Sequence, residues 1–254
     1  MTDTQTLTTQ LQEKCEAFCL DESNWAGKWR GRSPKGRANF RLIYSPPETF
    51  NAPSRVMILG TNPGGRVTDA DRNDAWLPFG PPSYSAYVHE SWGGYDEGCH
   101  PIQRNVKNIA KALSGTSVAG KMLLKQIPTG NLIPFRSSSY PGTLTTNLIE
   151  IGIEYGLELI RIADPTVLIL ISSRQNLWNA VMRSLGHSDE PDWFRDLTPP
   201  NHDSGQWLFR EASLLSSSRR RLVWALPALN STKTDARPIL SAFRSRLQEQ
   251  GIRI

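Results

Sequence analysis

The stretch VMILGTNPGG, from Val56 to Gly65, decides the fold because it joins a short apolar run to an abrupt turn. The run Val56–Leu59 consists of β-branched or long apolar residues and is typical of a buried strand. The residues that follow are turn formers, which let the backbone come close to whatever lies beyond the strand. The stretch therefore predicts a strand with a stiff turn at its carboxyl end.

Three further runs are apolar without alternation, as parallel strands covered on both faces tend to be. They are NLIPF (131–135), VLILIS (167–172) and RLVWAL (221–226). Apolar residues at helical spacing lie before and between the four runs. These stripes fall at 7–18, 102–113, 148–162, 177–185 and 239–247. Strands that alternate with helices predict an α/β fold, here a three-layer sandwich with a central, mainly parallel four-stranded sheet flanked by helices.

The length of 254 residues with 38% hydrophobic residues is enough for one domain with a sizeable core. We expect a single domain over 1–254, in which 1–50 contributes an amphipathic helix and a basic segment. Two long loops are predicted, at 66–98 and 186–218. The aromatic content of the first loop favours an ordered structure.

The formal net charge of +5 and a pI of about 9.2 favour polyanionic partners. The cations concentrate in two clusters, within Lys28–Arg41 beside two tryptophans and at Arg219–Arg221. Each cluster is either a solvated surface or a phosphate-binding face. Together they favour a nucleic-acid partner.

Metal and membrane functions have little support in the sequence. The three cysteines are too few for the four thiolates of an iron–sulfur cluster, and the four histidines are scattered. We therefore expect no metal and no cofactor. The first residues lack the apolar core of a signal peptide, and no run reaches about 20 apolar residues. A cytoplasmic location, in a bacterial-type cytosol or nucleoid, is the expectation.

Parallel sheets bind ligands beyond the carboxyl ends of their strands. The residues that follow the four runs are rich in small, amide and hydroxyl side chains with cations nearby, which suits a polar planar ligand attached to phosphates. The turn at Gly60–Gly65 lacks the lysine of a nucleotide P-loop and the spacing of a dinucleotide fold. What remains is a turn whose backbone N–H groups and one carboxamide project over the sheet edge.

Five segments, in chain order, resemble the signature segments of the uracil-DNA glycosylase superfamily. They are GTNPGG (60–65), LPFG (77–80), TGNLIPFRS (129–137), PTVLILISSR (165–174) and ALPALNSTKTD (225–235). The similarity is greatest to the mismatch-specific and single-strand-selective branches, whose first motif reads Gly-x-Asn-Pro-Gly. It extends from Val56 to the C-terminus. It implies a DNA glycosylase, which flips a pyrimidine out of DNA and hydrolyses its N-glycosidic bond without a cofactor. A monofunctional mechanism is expected because no lysine accompanies GTNPGG or TGNLIPFRS, although Lys233 is to be tested.

The resemblance assigns roles to individual residues. Asn62 takes the catalytic position, where the resembled branches orient the attacking water, although it could instead cap the next element. Phe79 is the candidate for stacking on the flipped base, or else a plain core residue. Asn131 carries a carboxamide that both donates and accepts, so it can read the Watson–Crick edge of a pyrimidine, or it caps a turn. The remaining base-binding positions are in the turn: Gly60, Thr61, Pro63 and Gly64.

The last motif departs from the family pattern, since Leu226-Pro227-Ala228 stands where many members have His-Pro-Ser. No imidazole is available at that position to assist the departing base. Phosphate contacts are assigned to polar and basic residues near the second and last motifs. These DNA-binding candidates are Arg136, Ser137, Asn230, Ser231, Thr232 and Lys233.

The missing histidine leaves the excised base open. It is uracil or, given the long aromatic loop 66–98, a hypermodified cytosine of phage DNA, which would make the protein an antiviral defence enzyme. Two alternatives stay open. The first is a module on the same fold that binds a base or lesion without chemistry, and the second is an unrelated α/β enzyme acting on a free nucleobase or nucleoside.

Overall fold

A computed structural model describes residues 3–21, 41–50, 54–63, 83–135, 146–172, 175–186, 210–216, 219–226, 237–252 and 254. Its helices are α1 (Asp3–Leu20), α2 (Ala86–His89), α3 (Pro101–Ser114), α4 (Ser117–Leu124), α5 (Thr146–Ala163), α6 (Gln175–Ser184) and α7 (Arg237–Glu249), with a 3₁₀ helix at Pro47–Phe50. Its strands are β1 (Val56–Gly60), β2 (Thr129–Asn131), β3 (Val167–Ile171), β4 (Arg210–Ser216) and β5 (Arg219–Leu226).

The strands form one sheet in the order β2-β1-β3-β5-β4. The first four are parallel, and their register places Ile58 beside Ile169 and Ile169 beside Trp224. The predicted α/β fold with a mainly parallel sheet is therefore confirmed. A fifth strand, β4, pairs antiparallel with β5 at the sheet edge. It lies within 186–218, where a long loop was predicted.

Two apolar clusters show that helices cover both faces of the sheet. Alternate residues of β1 point to opposite clusters: Met57 and Leu59 belong to one, while Val56 and Ile58 belong to the other. The first cluster includes side chains from α1, α5 and α6. The second includes side chains from α2, α3, α4 and α7. This arrangement is the expected three-layer sandwich, and it explains why the strands are apolar throughout.

The predicted helical stripes all correspond to helices, namely α1, α3, α5, α6 and α7. His100 is the N-cap of α3, and Pro101 occupies the first turn, where proline is favoured. The short helix α4 was not predicted. It begins after Thr116, whose side chain accepts a hydrogen bond from the Ala119 N–H.

The prediction for the second strand is wrong in its position. The strand is β2, Thr129–Asn131, and only Asn131 of the predicted run 131–135 belongs to it. Pro134 has no N–H to donate to a ladder. The apolar character of the run instead reflects burial beneath α5, where a Cβ on Gly152 would lie 2.7 Å from Ile133 Cγ2. Asn131 thus ends its strand rather than beginning it.

The segment from Arg41 to Tyr44 covers the outer edge of β2. Asn131 N–H donates to Leu42 O at 2.8 Å, and Tyr44 N–H donates to Thr129 O at 2.8 Å. A Cβ on Gly130 would lie only 2.2 Å from Leu42 O, so glycine is required for this close approach. The segment therefore fixes Arg41 beside the carboxyl end of β2.

Candidate functional site

Five of the residues assigned to the site belong to the described part of the chain: Gly60, Thr61, Asn62, Pro63 and Asn131. They come from two neighbouring parallel strands and lie at the carboxyl ends of both, where the topology predicts a binding crevice. The other assigned residues lie outside the described residues. They are Gly64, Phe79, Arg136, Ser137, Asn230, Ser231, Thr232 and Lys233.

Gly60 and Asn131 are direct partners in the register of β1 and β2. A Cβ on Gly60 would lie 2.9 Å from Asn131 Oδ1, closer than side chains normally approach. The glycine therefore does more than end the strand. It leaves the space that the carboxamide oxygen of Asn131 uses.

The turn after β1 is tied to both neighbouring strands. Thr61 Oγ1 donates to Ile171 O at 3.1 Å, at the end of β3. On the other side, Leu132 N–H donates to Gly60 O at 2.8 Å and Ile133 N–H donates to Thr61 O at 2.9 Å. These hydrogen bonds attach Gly60 and Thr61, at the start of the turn, to both neighbouring strands.

Asn62 is half-buried, and its Nδ2 group donates to two backbone carbonyls, Pro63 O at 3.2 Å and Phe135 O at 3.4 Å. Because a carbonyl oxygen only accepts, these partners determine which end of the amide is nitrogen. Within the described ranges no donor reaches Asn62 Oδ1. This oxygen is available to accept a hydrogen bond from a water molecule or a ligand.

Asn131 is 2% exposed and is held in the same way. Its Nδ2 group donates to Arg41 O at 2.8 Å, so the oxygen of the amide is the end that lies beside the half-buried Gly60. One of the two Nδ2 hydrogens is therefore already used. Asn131 offers principally an acceptor to a bound group, whereas its sequence alone allows both a donor and an acceptor.

The side chain of Arg41 forms an ion pair with Glu90, a residue that was not among the predicted site residues. Arg41 Nη1 donates to Glu90 Oε2 at 2.6 Å, and Nη2 donates to the other oxygen. Tyr84 Oη and Trp92 Nε1 also donate to this carboxylate, the latter at 2.7 Å. The arginine further packs over the ring of Tyr44, 4.5 Å from its centroid.

This network shifts the pKa values of its members. Burial alone would raise the pKa of Glu90, but the hydrogen bonds and charge of Arg41 outweigh it and hold that pKa below its ordinary value. The pKa of Tyr84 is raised by burial and by Glu90. The pKa of Arg41 is raised by Glu90 despite its burial. Near neutral pH the cluster is thus an ion pair supported by a neutral phenol.

The aromatic residues around Glu90, several of them in the described part of the loop 66–98, form a packed group. Tyr44, Tyr87 and Trp92 contact one another with ring centroids 5.3 to 5.5 Å apart. Gln103 of α3 joins the group to the helix, because its Nε2 donates to Ala86 O at 2.9 Å and to Glu90 O at 2.7 Å. Only the clustering of aromatic residues in the sequence indicated this structure.

The two described histidines have local structural roles. His100 Nδ1 caps α3 by accepting from Ile102 N–H at 3.3 Å, and burial together with Arg104 lowers the pKa of its imidazole. His89 stacks on Tyr84 and bonds to the backbone of Ser85. In the described part of the chain, neither has a hydrogen bond to Asn62 or Asn131, so neither takes the position of the missing family histidine.

Two arginines of the predicted basic clusters, Arg41 and Arg221, are paired with carboxylates. Arg41 pairs with Glu90, and Arg221 pairs with Asp164 while its Nε donates to Pro165 O at 2.9 Å. Both arginines lie next to strand ends, Arg41 beside the carboxyl end of β2 and Arg221 near the start of β5. For these two residues, the expectation of a solvated or phosphate-binding cation is wrong, because a carboxylate lies within reach of each.

No helix in the described ranges is long and apolar enough to cross a membrane. Among the same residues, no group of three His, Cys, Asp or Glu side chains is arranged to hold a metal ion. In comparisons with protein-family models and with curated protein sequences, the chain matches none.

Proposed function

We propose that the protein is a monofunctional DNA glycosylase of the uracil-DNA glycosylase superfamily. The observation that carries the proposal is the placement of two carboxamides, Asn62 and Asn131, at the carboxyl ends of adjacent parallel strands. The nitrogen of each donates to backbone carbonyl oxygen. Both motifs that contribute them resemble signature motifs of that family. The substrate would be DNA in a cytoplasmic setting, and the product an abasic site.

Hydrolysis of an N-glycosidic bond requires a positioned water and a stabilised leaving base. The oxygen of the water forms a bond to C1′ as the bond from C1′ to the base breaks, and the base leaves with a proton. Asn62 Oδ1 would accept a hydrogen bond from this water, although an amide does not take its proton as a carboxylate would. Backbone N–H groups of the turn would stabilise charge on the base. Such a site favours a slow enzyme that relies on positioning.

The recognition of the base would depend on Asn131. Its Oδ1 accepts a hydrogen bond, so the base must present a donor. Uracil and thymine present N3–H, and cytosine and its modified forms present the exocyclic amine. Flipping a nucleotide costs a few kcal/mol, which the contacts within the site must recover.

The test is incubation with a panel of DNAs that contain uracil, mismatched thymine, hydroxymethylcytosine or its glucosylated forms, followed by alkali to break abasic sites. We expect cleavage of one substrate, a loss of about 100-fold or more in Asn62→Ala and Asn131→Ala, and no loss in Asn147→Ala, whose side chain is exposed on α5. Borohydride should trap no covalent complex. Trapping through Lys233 would instead indicate a lyase.

A second candidate is a non-catalytic module that recognises a base or lesion. It is favoured by one observation, that neither described histidine has a hydrogen bond to Asn62 or Asn131 among the described residues. Salt-sensitive binding to modified DNA without any abasic product would support this function and contradict the catalytic role of Asn62. Activity on a free nucleoside, without DNA binding, would exclude both the glycosylase and the DNA-binding module.

A further inference from the structure

A third concentration of positive charge lies outside the two basic clusters predicted from the sequence. Positions 98–149 contain six Lys or Arg residues and no Asp or Glu, whereas the whole chain has a formal net charge of +5. Five of the six lie on α3, on α4 or at the C-cap of α4. We name them the α3–α4 cationic surface: Arg104, Lys107, Lys111, Lys121 and Lys125.

The cations of α3 form one stripe. Arg104, Lys107 and Lys111 are spaced three and four residues apart, so they lie on one side of the helix over about 10 Å. The opposite side is buried and includes Val106 and Ala110. Arg104 and Lys111 are exposed, while Lys107 is half-buried.

The second helix brings further cations to this stripe. A Cβ on Gly120 would lie 2.7 Å from Lys111 N, so α4 crosses α3 at close range. Lys121 follows this contact and is exposed. Burial lowers the pKa of Lys107, and the charges of Lys121 and Arg104 lower it further against the opposite effect of Cys99. Cations from both helices therefore act on the same ammonium group.

These charges have no acidic partners within the described ranges. The ion pairs there are Arg41–Glu90, Arg161–Glu158, Arg221–Asp164 and Arg246–Glu249, and none involves the α3–α4 cationic surface. Like charges held together without carboxylates repel one another. A polyanion relieves this repulsion and releases its own counterions on binding.

The surface is also connected to the proposed site. Arg104 follows Gln103, whose amide donates to the backbone of Glu90, and Glu90 pairs with Arg41. Arg41 O in turn holds the carboxamide of Asn131. The stripe thus begins at the end of α3 that contacts the site's supporting residues and runs away from it.

We propose that the α3–α4 cationic surface binds the phosphate backbone of the DNA strand on one side of the site. The inference rests on the proposed function and adds a path for the strand. Membrane binding is the less favoured use, because α4 has eight residues and exposes only Val118 and Met122 as large apolar side chains. An interfacial helix needs a broader apolar face.

The experiment measures how the affinity for a short, unmodified single-stranded oligonucleotide depends on salt concentration. The test variant is Lys107→Gln/Lys111→Gln/Lys121→Gln. The matched control is Lys14→Gln/Arg55→Gln/Arg183→Gln, which removes the same charge from exposed positions on α1, before β1 and on α6. We expect the slope of log affinity against log salt to become shallower by about 2 in the test variant and to stay unchanged in the control.

Equal losses in the two variants would overturn the proposal, because they would reflect net charge alone. An unchanged slope in the test variant, together with lost binding to vesicles of phosphatidylserine and phosphatidylcholine, would also overturn it and assign the surface to a membrane. If the unaltered protein binds neither this oligonucleotide nor its duplex, the proposed function itself is removed. Since no step requires excision, a catalytically inactive protein still tests the surface.

Discussion

At the scale of single residues, the orientation of Asn131 depends on space left by a glycine. Gly60→Ala places a Cβ 2.9 Å from Asn131 Oδ1, and this amide is held on its other side by Arg41 O. We expect excision to fall about 100-fold, with an unfolding cost of about 1 to 3 kcal/mol from overpacking. Excision assays and urea denaturation measure the two effects. Full activity in a destabilised variant would show that Asn131 Oδ1 does not contact the base.

The charge of Glu90 should contribute to the stability of the fold. Its pKa is lower in the folded chain than its ordinary value of about 4.3, so the ion pair with Arg41 stabilises the fold fully above that pH. The stabilisation is lost as the pH falls through the lower pKa of the folded state. Glu90→Gln should therefore lower the free energy of unfolding by about 3 kcal/mol at pH 7 and much less in acid.

Urea denaturation at several pH values measures this dependence. The control is Glu158→Gln, which breaks an exposed pair with Arg161 and should cost at most about 1 kcal/mol. A pH-independent loss in Glu90→Gln would mean that hydrogen-bond geometry, rather than the charge of Glu90, stabilises the cluster.

At the scale of elements, the sequence predicts best those segments whose hydrophobic pattern arises from the core alone. β1, β3 and β5 are covered on both faces, and α3 presents one apolar stripe, so their patterns are direct consequences of the layers. β2 could not be predicted from its hydrophobic pattern, because its buried residues are Thr129, Gly130 and Asn131. They are small or polar, and they are buried by a strand edge and a helix that are distant in sequence.

The candidate site was predictable in part for the same reason. Gly60, Thr61, Asn62 and Pro63 follow a recognisable strand, so their place at the sheet edge follows from topology. Glu90 was not predictable, because its partner Arg41 is 49 positions away and no local pattern signals the pair. The same is true of Arg221 and Asp164, which are 57 positions apart.

The packing of α5 on the segment after β2 gives a prediction for an element contact. Ala is a better helix former than Gly by about 1 kcal/mol, so Gly156→Ala would stabilise an isolated helix. Here the added Cβ would lie 2.1 Å from Leu132 O, a rigid backbone atom. We expect the destabilisation from this clash to exceed the gain in helix propensity. The free energy of unfolding should therefore fall by at least about 1 kcal/mol.

Urea denaturation decides between the two effects in Gly156→Ala. The control is Glu154→Ala, at an exposed position of the same helix, which should change the free energy of unfolding by less than about 0.5 kcal/mol. A more stable Gly156→Ala would show that α5 does not approach the backbone of Leu132 so closely.

At the scale of the whole molecule, the layer that contains α1 supports the site from the side opposite to the α3–α4 cationic surface. Leu11 and Cys15 of α1 are buried in the same cluster as β1 residues Met57 and Leu59. Phe18 packs on the ring of Phe135, with centroids 5.5 Å apart. Phe135 O accepts a hydrogen bond from the Asn62 amide. A chain of contacts therefore leads from α1 to the proposed catalytic residue.

A chain that begins at residue 22 therefore loses core packing and a support of Asn62 together. We expect its midpoint of thermal unfolding, measured by near-ultraviolet circular dichroism, to fall by several degrees or more, since each large buried side chain contributes about 2 to 5 kcal/mol. Excision should fall as well. Leu7→Ser, at a position 50% exposed on the same helix, should change neither quantity. An unaltered midpoint in the shortened chain would mean that α1 is dispensable and that 1–254 is not one cooperative domain.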